Sequence, residues 1–295
     1  MKKLKVLICY NYNDTLLSCG NMIEEAFRRR DDIEVYRLGE LTPDKADVVF
    51  NTEAQAERPR GPLTVWWDIE ACSYSVVGEF NSDMVLAPYT INKDLYPTDR
   101  TYFFPFANDP INFKNNPLIK PTYDLGFVGR EDINRERRVE YLNWLEKQSI
   151  KMFRVNSIQR GEDLSDKLSS AKIALQVAGD AAGGVMETRF FEVGPITVIA
   201  ADRIENNRED MDWAAVPDYH YIAFNSKEEL LEKVQKYSQD DALRERMYKR
   251  ALENYMTNHT YDVRVRQLLE TIGFLKGQGL DKFHDRRKRW GEYNG

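Results

Sequence analysis

The sequence predicts an α/β protein built as two successive parallel-sheet units. Three observations predict it. Short apolar runs alternate with helical segments along most of the chain, the pattern of a mostly parallel sheet. The alternation stops at a stretch rich in proline and asparagine, residues 105–121, which holds four prolines, and then restarts. Finally, 295 residues suit two domains, and 42% hydrophobic with 12% aromatic residues supply a packed core for each.

Charge and cysteine content narrow the classes. A net charge of -6 argues against a protein that coats nucleic acid generally, while leaving room for a local basic patch. Cys9, Cys19 and Cys72 are scattered without a CxxC, which fits reduced intracellular thiols better than a disulfide framework or a zinc site. The start, MKKLKVLICY, reads as two lysines and a short strand rather than a signal peptide, so a cytoplasmic location is expected. No apolar run reaches the roughly 18 residues that a membrane span needs.

In the first half, Leu4–Cys9 reads as a buried first strand. Asn11–Asp14 reads as a turn and helix cap, with a helix to about Arg30 carrying Leu16, Leu17, Met22, Ile23, Ala26 and Phe27 at helical spacing. Strands follow at Ile33–Leu38, Val48–Phe50, Leu63–Trp67, Met84–Ala87 and Tyr102–Phe106. In such sheets ligands bind beyond the carboxyl ends of strands. Two ends stand out on that rule, Tyr10–Asn13 and Trp66–Glu70. Asp68, beside two tryptophans, suits a general base or a hydroxyl-binding carboxylate, and the indole faces suit stacking on carbohydrate or nucleobase. The plainer alternative is that Trp66 and Trp67 alternate across the sheet and Asp68 caps the next helix. Glu53 and Glu70 are candidates of the same kind.

In the second half, Tyr123–Arg130 is a strand ending in Gly129 and Arg130. Arg135, Arg137 and Arg138 open a helix to about Gln148, so an anion site or an ordinary turn with surface arginines is expected here. Strands at Ile150–Val155 and Lys172–Val177 flank a helix at Asp163–Ser170. Next comes Gly183-Gly184, a short helix from about Glu187 or Thr188, and the strand Pro195–Ala200. The glycines let a backbone approach a ligand closely, and a helix start favours phosphate. Arg189 and Glu192 lie three apart on one helix face, while Met186, Phe190 and Val193 point into a core. The face then offers a cation for an anion and a carboxylate for hydroxyls, or merely a solvated ion pair. Tyr221–Phe224 is a last strand, followed by a Ser226 to Glu229 capping box and helices at 227–239, 241–256 and 262–272.

These second-half motifs, Tyr-Asp-Leu-Gly-Phe-Val-Gly-Arg at 123–130, Ala-Lys-Ile-Ala-Leu at 171–175, Thr-Arg-Phe-Phe-Glu at 188–192 and Asn-His-Thr-Tyr-Asp-Val-Arg at 258–264, follow a proline-rich linker. In that order the chain resembles glycosyltransferases of the GT-B fold, in particular the CgeB-like (spore maturation protein) group of glycosyltransferase family 1/4 type. The resemblance covers about residues 100–273. It implies two Rossmann-like domains facing a central cleft, with residues 1–107 on the acceptor side, 108–275 binding the nucleotide sugar, and a tail at 276–295 that crosses back.

By motif position, the resemblance assigns Glu192 to the ribose hydroxyls and Gly129, Arg130 and Arg189 to the diphosphate. It places Gly183 and Gly184 at the sugar phosphate. His259-Thr260-Tyr261 would fix the helix that returns toward the first domain. Many relatives carry a second glutamate eight residues before the ribose one, where this chain has Gly184; the nearest acid is Glu187. The implied activity is metal-independent transfer of a hexose or pentose with retention, with Arg189 as a catalytic candidate and no cofactor beyond the nucleotide-diphosphate sugar. The first half shows no clean equivalent of the family's catalytic residue there, so Asp68 stands as a catalytic candidate on its strand-end position alone. His220 and His259 have no metal-ligand spacing. The acceptor stays open between a surface glycan, a glycoprotein or small molecule, and a hydroxymethylated pyrimidine in DNA. A basic aromatic tail, Lys282, Phe283, Arg286, Arg287, Lys288, Arg289 and Trp290, suits phosphate or a solvated helix. A non-catalytic nucleotide-sugar binder is the remaining alternative. The sequence does not fix the oligomeric state.

Overall fold

The computed structural model describes residues 2–10, 18–52, 59–69, 82–88, 99–131, 135–156, 161–178, 188–277 and 279–280. Two compact units result. One takes the chain up to Pro105 and again from Tyr261; the other is Phe106–Thr260.

In the first unit, β1 (Leu4–Cys9), β2 (Ile33–Arg37), β3 (Val48–Thr52), β4 (Thr64–Trp67), β5 (Met84–Ala87) and β6 (Thr101–Phe103) form a six-stranded sheet in the order β2-β1-β3-β4-β5-β6. Every pairing is parallel; Val6, for example, sits between Val35 and Val48. A parallel sheet is covered on both faces, so its strands are apolar throughout rather than alternating. Accordingly β3, β4 and β5 are buried along their whole length.

Helix α1 (Cys19–Arg28) takes its cap from Ser18, later than the Asn11–Asp14 turn, which lies outside the described residues. Ser18 is extended, its Oγ accepts from the Asn21 N–H at 3.1 Å, and the Asn21 side chain accepts in return from the Ser18 N–H at 3.3 Å. α1 also buries Glu24, whose carboxylate accepts from Tyr10 Oη at 2.6 Å, Arg28 Nε at 2.7 Å and Arg37 Nε at 3.0 Å. Burial pushes that carboxyl up, but the hydrogen bonds from Tyr10, Arg37 and Arg28 outweigh it and hold the pKa below the ordinary value.

The last helix, α8 (Tyr261–Thr271), packs on α1, where Arg29 forks onto Asp262 at 2.8 and 3.0 Å. Its Arg264 is fully buried and donates to the Pro105 carbonyl at 3.1 Å. Residues 261–271 therefore belong to the first unit, although they continue the second-half pattern in the sequence.

In the second unit, β7 (Tyr123–Val128), β8 (Met152–Val155), β9 (Ala171–Gln176), β10 (Val198–Asp202) and β11 (Ile222–Phe224) form a parallel sheet in the order β11-β10-β9-β7-β8. On one face, Leu125, Ile173, Leu175, Val198 and Ala200 pack with Leu142 of α2 (Glu136–Leu145) and with Leu230 and Val234 of α6 (Lys227–Gln239). Helix α3 (Glu162–Ser169) lies against β7 and β9, and α4 (Arg189–Val193) against β9 and β10. α7 (Asp241–Asn258) supplies Tyr255, which joins Phe190, Phe191 and His259 in an aromatic cluster under α4. A Cβ at Gly194 would lie 2.0 Å from the Tyr255 ring, so only glycine lets the chain leave α4 here.

α5 (Glu205–Ala214) has no counterpart in the sequence expectations. Its buried face is Asn207, Asp210, Met211 and Ala214, helical in spacing but half polar, which hides the apolar period. The expected strand from Pro195 starts only at Val198, because Pro195–Thr197 closes the turn after α4 with Ile196 and Thr197 amides donating to the Val193 carbonyl.

Candidate functional site

The order β11-β10-β9-β7-β8 fixes where a ligand finds room. The chain runs from β7 to β8 on one side, then crosses to β9 on the other, so the carboxyl ends of β7 and β9 flank the switch point of the second sheet. β7 ends in Gly129 and Arg130. The Gly129 N–H donates to the Val155 carbonyl at 3.0 Å, and a Cβ on Gly129 would come 2.9 Å from the Phe127 ring. Arg130 is exposed.

Two arginines of α2 hold this edge together. Arg138 is 3% exposed; its Nε donates to the Val177 carbonyl at 2.8 Å and its Nη1 to the Arg130 carbonyl at 3.0 Å. It therefore clasps the chain beyond β9 to the chain beyond β7, with its guanidinium 5.8 Å over the Phe127 ring. Arg137 pairs with Asp202, the last residue of β10, whose other oxygen accepts from the Ala178 N–H at 3.0 Å. Burial works against the Arg137 charge, but the Asp202 carboxylate outweighs it and holds the guanidinium above its ordinary pKa. Arg137 and Arg138, grouped in the sequence with Gly129 and Arg130 as an anion site, thus engage the protein itself. Arg130 presents its side chain outward.

On α4, Arg189 and Glu192 share a face as their spacing predicts, with Arg189 Nη1 3.1 Å from Glu192 Oε2. Only the arginine end of the pair reaches solvent. The Glu192 side chain is 1% exposed and that of Arg189 22%. Phe190 and Val193 are buried on the core side. Gly183, Gly184, Met186 and Glu187 lie outside the described residues, as do Asn11 to Asn13, Glu53, Glu70 and the tail at 282–290.

Asp68 belongs to the first unit. It is 4% exposed just beyond β4, and its N–H donates to the Leu86 carbonyl at 3.0 Å. Trp66 and Trp67 do not alternate between core and solvent; both are buried, because the sheet is covered on both faces. Trp67 packs edge-on against Phe104 at 5.1 Å and Tyr261 at 6.3 Å, and its Nε1 donates to the Phe104 carbonyl at 3.1 Å. That ring is core and offers no stacking face.

The two described histidines, His220 and His259, are structural in their surroundings. His259 is 3% exposed, with its ring 4.9 Å from Trp213 and 5.6 Å from Phe191. Its carbonyl accepts from the Asn108 N–H at 2.7 Å, tying the two ends of the second unit together. His220 Nδ1 accepts from the Val216 N–H at 3.0 Å. Among the described residues no three His, Cys, Asp or Glu side chains gather as a metal site, and no described helix is long and apolar enough to cross a membrane.

The sequence reading missed Asp202 and the buried role of Arg138. Asp202 has a legible signal, an acid ending the apolar run Val198–Ala201 at a carboxyl edge. Arg138 has none, since a charged residue in a polar helix reads as surface.

The family profile described as glycosyl transferase-like matches residues 118–270. Among curated proteins none matches the sequence. Three similar solved structures stand out. An alpha-glucosyltransferase in complex with UDP and a 13-mer DNA containing a HMU base superposes with a TM-score of 0.60 at 10% identity, over 92% of this chain and 100% of that one. The Anabaena protein HepE in complex with UDP-glucose gives 0.60 at 11% identity, over 92% and 100%. The T4 phage beta-glucosyltransferase gives 0.55 at 11% identity, over 91% and 99%. At such identities the likeness is one of fold, and the fold is that of GT-B glycosyltransferases.

Proposed function

The chain belongs to the glycosyl transferase-like family, and we propose that it moves a sugar from a nucleotide-diphosphate donor to an acceptor hydroxyl of a glycan, a glycoprotein or a small molecule. One observation carries the reading. The family match, 118–270, spans the whole parallel sheet of the second unit together with Gly129, Arg130, Arg189 and Glu192.

Arg130 and Arg189 meet the charge that develops on the departing diphosphate, where a preorganised cation acts more strongly on the transition state than on the ground state. Glu192 accepts hydrogen bonds from the ribose hydroxyls. Gly183 and Gly184 allow the backbone near the sugar phosphate. Asp68 takes the proton of the acceptor hydroxyl. With arginines supplying the countercharge, the transfer needs no metal ion, and retention of configuration follows when the acceptor oxygen attacks the face from which the diphosphate departs. A CgeB-like membership and a cytoplasmic location complete the proposal.

Incubation with UDP-, GDP- and ADP-sugars, reading nucleoside diphosphate release with and without EDTA, tests it. Release from one donor class, unchanged by EDTA, supports the reading. Donor binding without release for every acceptor tried favours a non-catalytic binder, and no binding at all overturns it.

A second acceptor class is favoured by two structural relatives, an alpha-glucosyltransferase bound to DNA containing a HMU base and a beta-glucosyltransferase that is a DNA modifying enzyme. Transfer to duplex DNA bearing hydroxymethylated pyrimidine, with binding that weakens as salt rises, would establish it. Absence of both at low salt removes it.

A further inference from the structure

Resting on the proposed use of a nucleotide sugar, we infer that Gln176 is a further donor-binding residue and reads a hydroxyl of the nucleotide sugar. Gln176 is the last residue of β9, one of the two strands flanking the switch point, and pairs in register with Ala201 of β10. Ile173 and Leu175 face the core built with α2 and α6, so strand alternation turns Ala174 and Gln176 to the opposite face. α4, which carries Arg189 and Glu192, packs against β9 and β10.

The residue is 95% out of contact with water (5% exposed), and its carboxamide oxygen has no hydrogen-bond partner. A buried polar atom left unmatched is destabilising, because its lost hydration is not replaced. Its neighbours at this edge are matched by contrast: the Val177 carbonyl by Arg138, and the Ala178 N–H by Asp202. Nothing in the packing of β9 explains a glutamine where the strand is otherwise Ala, Ile and Leu around Lys172. A carboxamide offers an acceptor and, after a half-turn of its broad terminal torsion, a donor. A hydroxyl group answers both, since it donates and accepts. On a nucleotide sugar the hydroxyls belong to the ribose or to the transferred sugar.

Isothermal titration of the full chain with nucleotide sugar and with the matching nucleoside diphosphate tests this, for wild type, Gln176→Leu and Gln176→Glu. Gln176→Leu is expected to keep or raise the melting temperature, because it removes an unmatched buried group, and to weaken nucleotide-sugar binding roughly tenfold. Gln176→Glu, which keeps an acceptor oxygen, retains more of the affinity than Gln176→Leu. Equal loss for the diphosphate and the sugar nucleotide assigns the ribose; loss for the sugar nucleotide alone assigns the transferred sugar. Wild-type affinity in Gln176→Leu overturns the inference, and so does a drop in melting temperature in both variants without a change in affinity per folded molecule. If wild type binds neither probe, it is the nucleotide-sugar reading itself that fails.

Discussion

Arg138 and Arg130 stand eight residues apart at the same sheet edge and do opposite things. Arg138 is buried and spends its guanidinium on two carbonyls, one of them that of Arg130; the Arg130 side chain is exposed. The two ion pairs nearby differ in the same way. Arg137 and Asp202 link α2 to the end of β10 across 65 residues. Arg189 and Glu192 link two residues of one turn, yet Glu192 is as deeply buried as Asp202. A long-range pair staples elements together. A pair within a single helical turn contributes only about 0.2–0.5 kcal/mol when exposed, and burying it adds a desolvation cost. The Arg189–Glu192 pair therefore does not staple distant elements as the Arg137–Asp202 pair does.

The largest effect on stability is expected at the stapling arginine. Arg138→Leu strands the Val177 and Arg130 carbonyls and should cost about 3 kcal/mol, read from the denaturant midpoint. A loss under about 1 kcal/mol would erase the distinction between the two arginines. Arg130→Ala should leave the midpoint within about 0.5 kcal/mol and lower nucleotide-sugar turnover on the order of tenfold to a hundredfold. Unchanged turnover would return Arg130 to the ordinary surface.

The first unit supplies a control, a buried carboxylate with structural partners on every side. Glu24 has its pKa held down in the folded state, so its contribution is present above the ordinary carboxylate range and is lost as pH falls through the folded value. Glu24→Gln should flatten the loss of stability that sets in as pH falls below the ordinary value of 4.5, without altering donor binding. A variant that binds donor less well would show that the Tyr10, Arg28 and Arg37 network does more than hold α1. The smallest effect is expected at the half-exposed Lys172–Asp124 pair at 2.9 Å, where Lys172→Met should change stability by less than about 1 kcal/mol.

The strands were legible because parallel sheets bury both faces and leave continuous apolar runs, as at Val48–Phe50 and Met84–Ala87. The same property misled at Trp66 and Trp67, where alternation was a reasonable alternative and both rings proved to be core. α5 was illegible because Asn207 and Asp210 occupy half of its buried face. The return of α8 to α1 depends on Arg29 and Asp262, 233 residues apart, which no local pattern records. At the candidate site, the spacing of Arg189 and Glu192 placed them on one face, while local spacing does not say which arginines other residues consume. Asp202 and the Val177 and Arg130 carbonyls, the groups that engage Arg137 and Arg138, meet them only after folding.

Arg189 and the buried Glu192 on α4 are proposed to hold a nucleotide-sugar donor. The most direct measurement is nucleoside diphosphate release from the active donor by Arg189→Ala and by Glu192→Ala, each checked for a wild-type circular dichroism spectrum. Turnover should fall by about a hundredfold or more in both variants. Wild-type turnover in either folded variant would contradict the claim.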